Sequence, residues 1–192
     1  MKRYVIIAIA LTGLIFTAPF AQGSSLSALT KEAEKRLKKE DVIGAAKALR
    51  QAMVALYNQA SLKVNKATLI SAKPRAFGMF QPKGTNQYRP GETIIIYVEP
   101  VGYHFAKKGN SYNFGIIADF SVTDLDGNIL GGKKGFGKWE ITTKDRPLFD
   151  FYITLTYNFT GIKPGKYFIL TTLTDKNGGG SLTIKTPIEI VP

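Results

Sequence analysis

The only histidine of this chain, His104, lies in the stretch Gly102-Tyr103-His104-Phe105, five residues after Glu99 and fifteen before Asp119. An imidazole beside carboxylates is the raw material of a general base or of one ligand in a metal site. The chain has no cysteine and no second histidine to complete the usual transition-metal set. Glu99, His104 and Asp119 therefore stand for one alternative, a hydrolase or metal-dependent enzyme acting on envelope polymers. It requires the three side chains to converge in an open cleft. Serine chemistry has less support, because no Gly-x-Ser-x-Gly elbow is present around Ser111, Ser121 or Ser181. Glu92, Glu99, Asp119, Glu140 and Asp150 could supply a glycosidase carboxylate pair, but a β-rich chain of this length offers such pairs routinely.

Two glycine-bearing stretches approach nucleotide and calcium motifs and fail on chemistry. In residues 131–139 the spacing of Gly132 and Gly137-Lys138 matches a phosphate-binding loop, but Trp139 stands where a Ser or Thr hydroxyl must hold magnesium. The flanks also read as strands rather than strand and helix, so no nucleotide is expected. Asp124-Leu125-Asp126-Gly127-Asn128 opens like a calcium loop, yet its twelfth position is Gly135 where a bidentate Glu is needed. A hairpin end explains it, and neither a metal nor a cofactor is expected.

Cations interleaved with aromatic rings remain. Residues 100–113 carry Tyr103, His104, Phe105, Lys107, Lys108 and Tyr112, and residues 131–139 carry Lys133, Lys134, Phe136, Lys138 and Trp139. Rings stack on sugars and lysines attract anions, so both stretches, read as loops, are the candidate binding surface. The competing role for the rings is to plug one end of a β domain.

These residues need a scaffold, and the chain reads in three segments. Residues 1–23 have the form of a cleavable export signal: Lys2 and Arg3, an apolar run over 5–16, then small residues before a cut after Ala21 or Gly23. That run falls short of the roughly 20 residues that span a bilayer, so a periplasmic or secreted location is expected. Residues 24–61 read as a basic helical arm. Leu29, Ala33 and Leu37 recur every fourth residue, Asp41 offers an N-cap, and Ala45, Leu49, Ala52 with Met53, and Leu56 form an apolar stripe expected to pack on the domain. The stretch 41–56 has the small-residue look of a tetratricopeptide hairpin but occurs once, too few to build an array.

From residue 62 the pattern becomes strand and turn. Strands are expected over 62–71, 77–81, 93–99, 113–123, 134–142, 149–158, 166–175 and 181–191, separated by turn sequences such as Arg89-Pro90-Gly91-Glu92 and Lys163-Pro164-Gly165-Lys166. Eight short strands without intervening helices predict a mainly β protein, an antiparallel sandwich of about seven or eight strands, with a barrel as the alternative.

The net charge is +12, and loss of residues 1–23 leaves +10, of which +7 falls within residues 24–75. The run YRPGETIIIYVEP, with PGKYFILTTLTD and TPIEIV far downstream, resembles the first and last strands of bacterial immunoglobulin-like domains. The layout of signal, short helical segment and β domain is similar to small exported proteins of Gram-negative bacteria. The resemblance implies an immunoglobulin-like sandwich and brings no catalytic residues. The combined expectation is a non-catalytic binding protein of the envelope or secretome that engages an anionic polymer, a glycan or another protein. A secreted effector acting on a host is the further alternative.

Overall fold

The computed structural model describes residues 25–192; the expected export signal lies outside them. Two helices come first, α1 over Leu26–Leu37 and α2 over Val42–Tyr57. Ser25 caps α1 by accepting from the Ala28 N–H at 3.2 Å, and Asp41 caps α2 by accepting from the Gly44 N–H at 2.9 Å, so the break falls where the Asp41 cap places it. The buried face of α2 differs from expectation. Ala45, Ala48 and Ala52 are buried, while Leu49, Met53 and Leu56 are exposed. The cause is close packing: α1 lies directly against α2, and the alanines are the residues small enough to permit it.

Nine strands follow: β1 Lys63–Ile70, β2 Gln87–Tyr88, β3 Ile94–Val101, β4 Ala106–Lys108, β5 Ser111–Thr123, β6 Ile129–Lys144, β7 Ile153–Tyr157, β8 Gly165–Asp175 and β9 Ser181–Ile190. They form a three-stranded sheet, β1-β3-β7, and a six-stranded sheet, β2-β9-β8-β5-β4, with β6 along the opposite edge of β5. All pairings are antiparallel except the short β2–β9 contact. The protein is mainly β, with two helices and curled sheets.

Period-2 alternation supplies the core. Ile94, Ile96, Val98, Ile153 and Leu155 from the smaller sheet join Phe114, Ile116, Ala118, Ile169, Leu173 and Ile188 from the larger in one buried cluster. Each such aliphatic side chain contributes about 1.5–3 kcal/mol on leaving water. Across this core the Tyr157 and Thr171 hydroxyls share a buried hydrogen bond of 2.6 Å, tying β7 to β8.

Two segments depart from the strand expectations. Residues 77–81 form no strand and lie over the outer face of β3, where Phe80 stacks on Tyr97 at 4.3 Å and the Gly78 N–H donates to the Tyr97 hydroxyl. Residues 131–139 are not a loop but the middle of β6. Their glycines serve close approach: a Cβ on Gly132 would collide with the Phe120 carbonyl oxygen across the ladder, and one on Gly137 would enter the Trp139 ring.

Candidate functional site

The helical arm is held to the β domain at one end of the sheets, and the residues that hold it are those with the most chemical promise in the sequence. Tyr103 is fully buried, stacks on Phe114 at 4.2 Å, meets Tyr57 of α2 edge-on at 5.1 Å, and donates its hydroxyl to the Leu148 and Phe149 carbonyls. Burial drives its phenol pKa well above the ordinary range. Phe105 is buried among Tyr57, Tyr103, Phe114 and Phe149. Its backbone is read twice by Asn58, which accepts from the Phe105 N–H at 2.7 Å and donates to the Phe105 carbonyl at 2.9 Å. That pair of bonds imitates one rung of a β-ladder at the C-terminus of α2.

His104 completes this anchor. Its Nε2 lies 2.9 Å from the Ala60 carbonyl oxygen, a contact that requires the proton on Nε2. The His104 N–H donates to Asp175, whose carboxylate also accepts from the Asn177 and Gly179 N–H groups at the β8–β9 turn. The other two members of the catalytic alternative lie elsewhere. Glu99 is buried and accepts from the Tyr97 hydroxyl and the Asn65 amide. Asp119 sits at the β5–β6 bulge, where it accepts from the Gly135 N–H at 2.6 Å. No hydrogen bond joins any two of Glu99, His104 and Asp119 among the described residues, and no group of three metal-ligating side chains occurs among them.

The β6 residues divide by face. Phe136 stacks on Tyr157 at 4.9 Å, and Trp139 is half-buried against the core. Lys133, Lys134 and Lys138 are exposed, with Lys138 paired to Glu140 at 3.2 Å. Glu140 also meets Lys176, and hydrogen bonds from both lysines lower its pKa. This surface is a strand edge, and the pocket beside it, about 260 Å³ and lined by Glu140 and Lys176, takes in none of Lys133, Lys134 and Lys138.

Lys107 and Tyr112 have a different setting. They form a cross-strand pair of the β4–β5 hairpin, with the Lys107 ammonium 5.4 Å from the Tyr112 ring centre. The Tyr112 hydroxyl accepts from Gln51 of α2 at 2.7 Å, which fixes the helix beside the hairpin. Between them opens a cleft of about 510 Å³ walled by Lys47, Arg50, Lys107 and Arg146, with Gln51, Asn110 and Tyr112 inside. None of the four cations has a carboxylate within 4.0 Å among the described residues, where the ion pairs engage Arg36, Lys83, Lys138 and Lys176. The one carboxylate lining the cleft, Asp145, adopts a left-handed backbone (φ 65°), accepts from the Asn110 amide at 3.2 Å and donates its own N–H to the Asn110 carbonyl. Lys108 is exposed one residue further along β4.

The sequence suggested Lys107, Lys108 and Tyr112 but not Lys47, Arg50, Gln51, Asn110 or Arg146. On α2, Lys47 and Arg50 are three residues apart and so share a side of the helix, which was the available signal. Their convergence with Lys107 and Arg146 is a product of topology.

No family model matches the chain, and no curated protein does. Among solved structures, the alkylpurine DNA glycosylase AlkC of Pseudomonas fluorescens, bound to DNA containing an abasic site analog, overlaps 86% of this chain and 42% of its own at 9% identity and a TM-score of 0.38. The sporulation control protein Spo0M of Bacillus subtilis overlaps 69% of this chain and 50% of its own at 12% identity and a TM-score of 0.28. A superoxide reductase (neelaredoxin) of Ignicoccus hospitalis overlaps 69% and 81% at 12% identity and a TM-score of 0.28. The chain thus spans half or less of the first two proteins. Overlaps this loose carry no inference about activity.

Proposed function

We propose that this is an exported, non-catalytic binding protein that takes an anionic segment of an envelope or cell-surface polymer into the cleft between α2 and the β4–β5 hairpin. One observation carries the reading: four cations without carboxylate partners surround a concave site that holds a single, internally bonded carboxylate. Arg50 and Arg146 present planar forks suited to carboxylate, sulfate or phosphate, while Lys47 and Lys107 act as mobile point charges. The Gln51 and Asn110 amides offer hydrogen bonds to sugar hydroxyls above the buried Tyr112 ring, which favours an anionic glycan over a bare polyanion. Export is supported by the pattern of residues 1–23, and an immunoglobulin-like sandwich is the arrangement we assign to the two sheets on the strength of their shared core.

The test is retention of the purified protein on immobilised heparin and on isolated envelope polysaccharide at low and high salt. Retention should be strong at low salt and fall as the Debye length shrinks from about 10 Å at 0.1 M toward 3 Å at 1 M. Absence of retention on either matrix at low salt would remove the proposal.

A further inference from the structure

A second surface, separate from the cleft, lies on the same helix. Three sides of α2 are apolar, and only two are covered. Ala45, Ala48 and Ala52 are buried in the contact with α1, and Val54 and Tyr57 pack against the core of the β domain. The third side carries Val42, Leu49, Met53 and Leu56, exposed by 62, 50, 40 and 49%. Their spacing of seven, four and three residues sets them in one line along the helix, about 21 Å long at 1.5 Å per residue. Leu37 extends the patch at its N-terminal end with 60% exposure, while Ile43, one residue or about 100° round the helix from the line, borders the cleft. Of the eleven large apolar side chains exposed among the described residues, five are gathered here. Single exposed leucines are ordinary on a protein surface, whereas a continuous line of them on one helix marks an interaction face.

The charges around the line indicate what covers it. Lys38 and Lys39 lie in the α1–α2 turn, and Lys47 and Arg50 lie on α2; all four are exposed and make no ion pair among the described residues. Of the nearby carboxylates, Asp41 is bonded to Arg36 and to the Gly44 N–H, which leaves Glu40 as the exposed acidic group of the turn. A surface with an apolar line and a cationic rim is complementary to the head-group region of an anionic bilayer, where apolar side chains enter the acyl boundary and cations meet lipid phosphates. A second copy is a poorer occupant, since face-to-face pairing would set these cationic rims against each other.

We propose that the free face of α2 docks the protein on an anionic membrane surface, with Leu49, Met53 and Leu56 inserted and α2 lying in the plane of the interface. The apolar line itself is distinct from the cleft, because Leu49, Met53 and Leu56 do not line it, whereas Lys47 and Arg50 border both surfaces.

The experiment is flotation of the full-length expressed protein, purified as the cell leaves it, with phosphatidylglycerol vesicles and with phosphatidylcholine vesicles. The protein should float with the first and bind the second at least about tenfold more weakly. The double variant Leu49→Gln with Met53→Gln keeps good helix formers at exposed positions, so its unfolding midpoint should be unchanged. It should lose vesicle binding by about tenfold or more while heparin retention persists. The reciprocal variant, Lys107→Gln with Arg146→Gln, should lose heparin retention and still float. Four outcomes overturn the proposal: no flotation, equal flotation with both lipids, undiminished flotation of the double variant, and a dimer that the double variant dissolves.

Discussion

Two stretches only a few residues apart, 103–105 and 107–112, carry similar mixtures of rings and basic groups and end in opposite situations. In the first, the rings are packed and their polar ends are bonded: the Tyr103 hydroxyl by two carbonyls, the His104 Nε2 by Ala60, the Phe105 backbone by Asn58. In the second, Tyr112 is tied down by Gln51, but Lys107 faces a cleft that also receives Lys47, Arg50 and Arg146, and no carboxylate among the described residues pairs with them. Aromatic density reports where the chain packs. Charge left without a partner in a concave place reports where something else is to bind.

The contrast is broken first by stability. Tyr103→Ala should cost about 3–5 kcal/mol, as expected for removal of a fully buried ring, read by chemical denaturation. A loss below about 1 kcal/mol would mean that the 103–105 segment is not the anchor described. Next, Asn58→Ala leaves the Phe105 N–H and carbonyl without their partner and should cost about 1–3 kcal/mol. Hydrogen exchange should show α1 and α2 opening ahead of the sheets in this variant; cooperative loss of the whole fold at once would place the arm inside the core unit instead.

The cleft should behave in the opposite way. Lys47→Gln with Arg146→Gln should leave the unfolding free energy within about 0.5 kcal/mol of wild type, because both are surface cations without partners. Heparin affinity in the same variant should fall by about tenfold. The smallest effect concerns Tyr88, whose buried hydroxyl has no hydrogen-bond partner. Tyr88→Phe should be neutral or stabilising by about 1 kcal/mol at neutral pH. Burial pushes the Tyr88 phenol up to about 12, so the fold favours its neutral form. Its contribution is complete below the ordinary tyrosine value of 10.0 and is lost as pH climbs through about 12. Thermal melts across that window should therefore fall less steeply for Tyr88→Phe than for wild type.

Much of the scaffold was legible because its signals are local. The α1–α2 break follows from Asp41 acting as a cap, and the 94–101 and 165–175 strands follow from β-branched alternation next to Pro-Gly turns. The middle of β6 was not legible. Gly131, Gly132, Gly135 and Gly137 look like loop composition, and the need of Gly132 to admit the Phe120 carbonyl exists only once β5 is alongside. The buried face of α2 was misread for a related reason: leucines outrank alanines in hydrophobicity, but the closeness of α1 selects for size. The cleft was half legible. Lys107 and Tyr112 stood out by proximity, whereas Lys47, Arg50 and Arg146 come from distant parts of the chain and meet only in the folded protein.

The most direct test of the central claim is an amide chemical-shift titration of the isotope-labelled protein with a heparin oligosaccharide. The cleft reading predicts saturable shifts confined to residues 47–51, 107–112 and 145–146, with the midpoint moved about tenfold higher in ligand by Lys47→Gln with Arg146→Gln. Shifts centred instead on Lys133, Lys134 and Lys138 along β6, or spread evenly over every surface lysine, would contradict it.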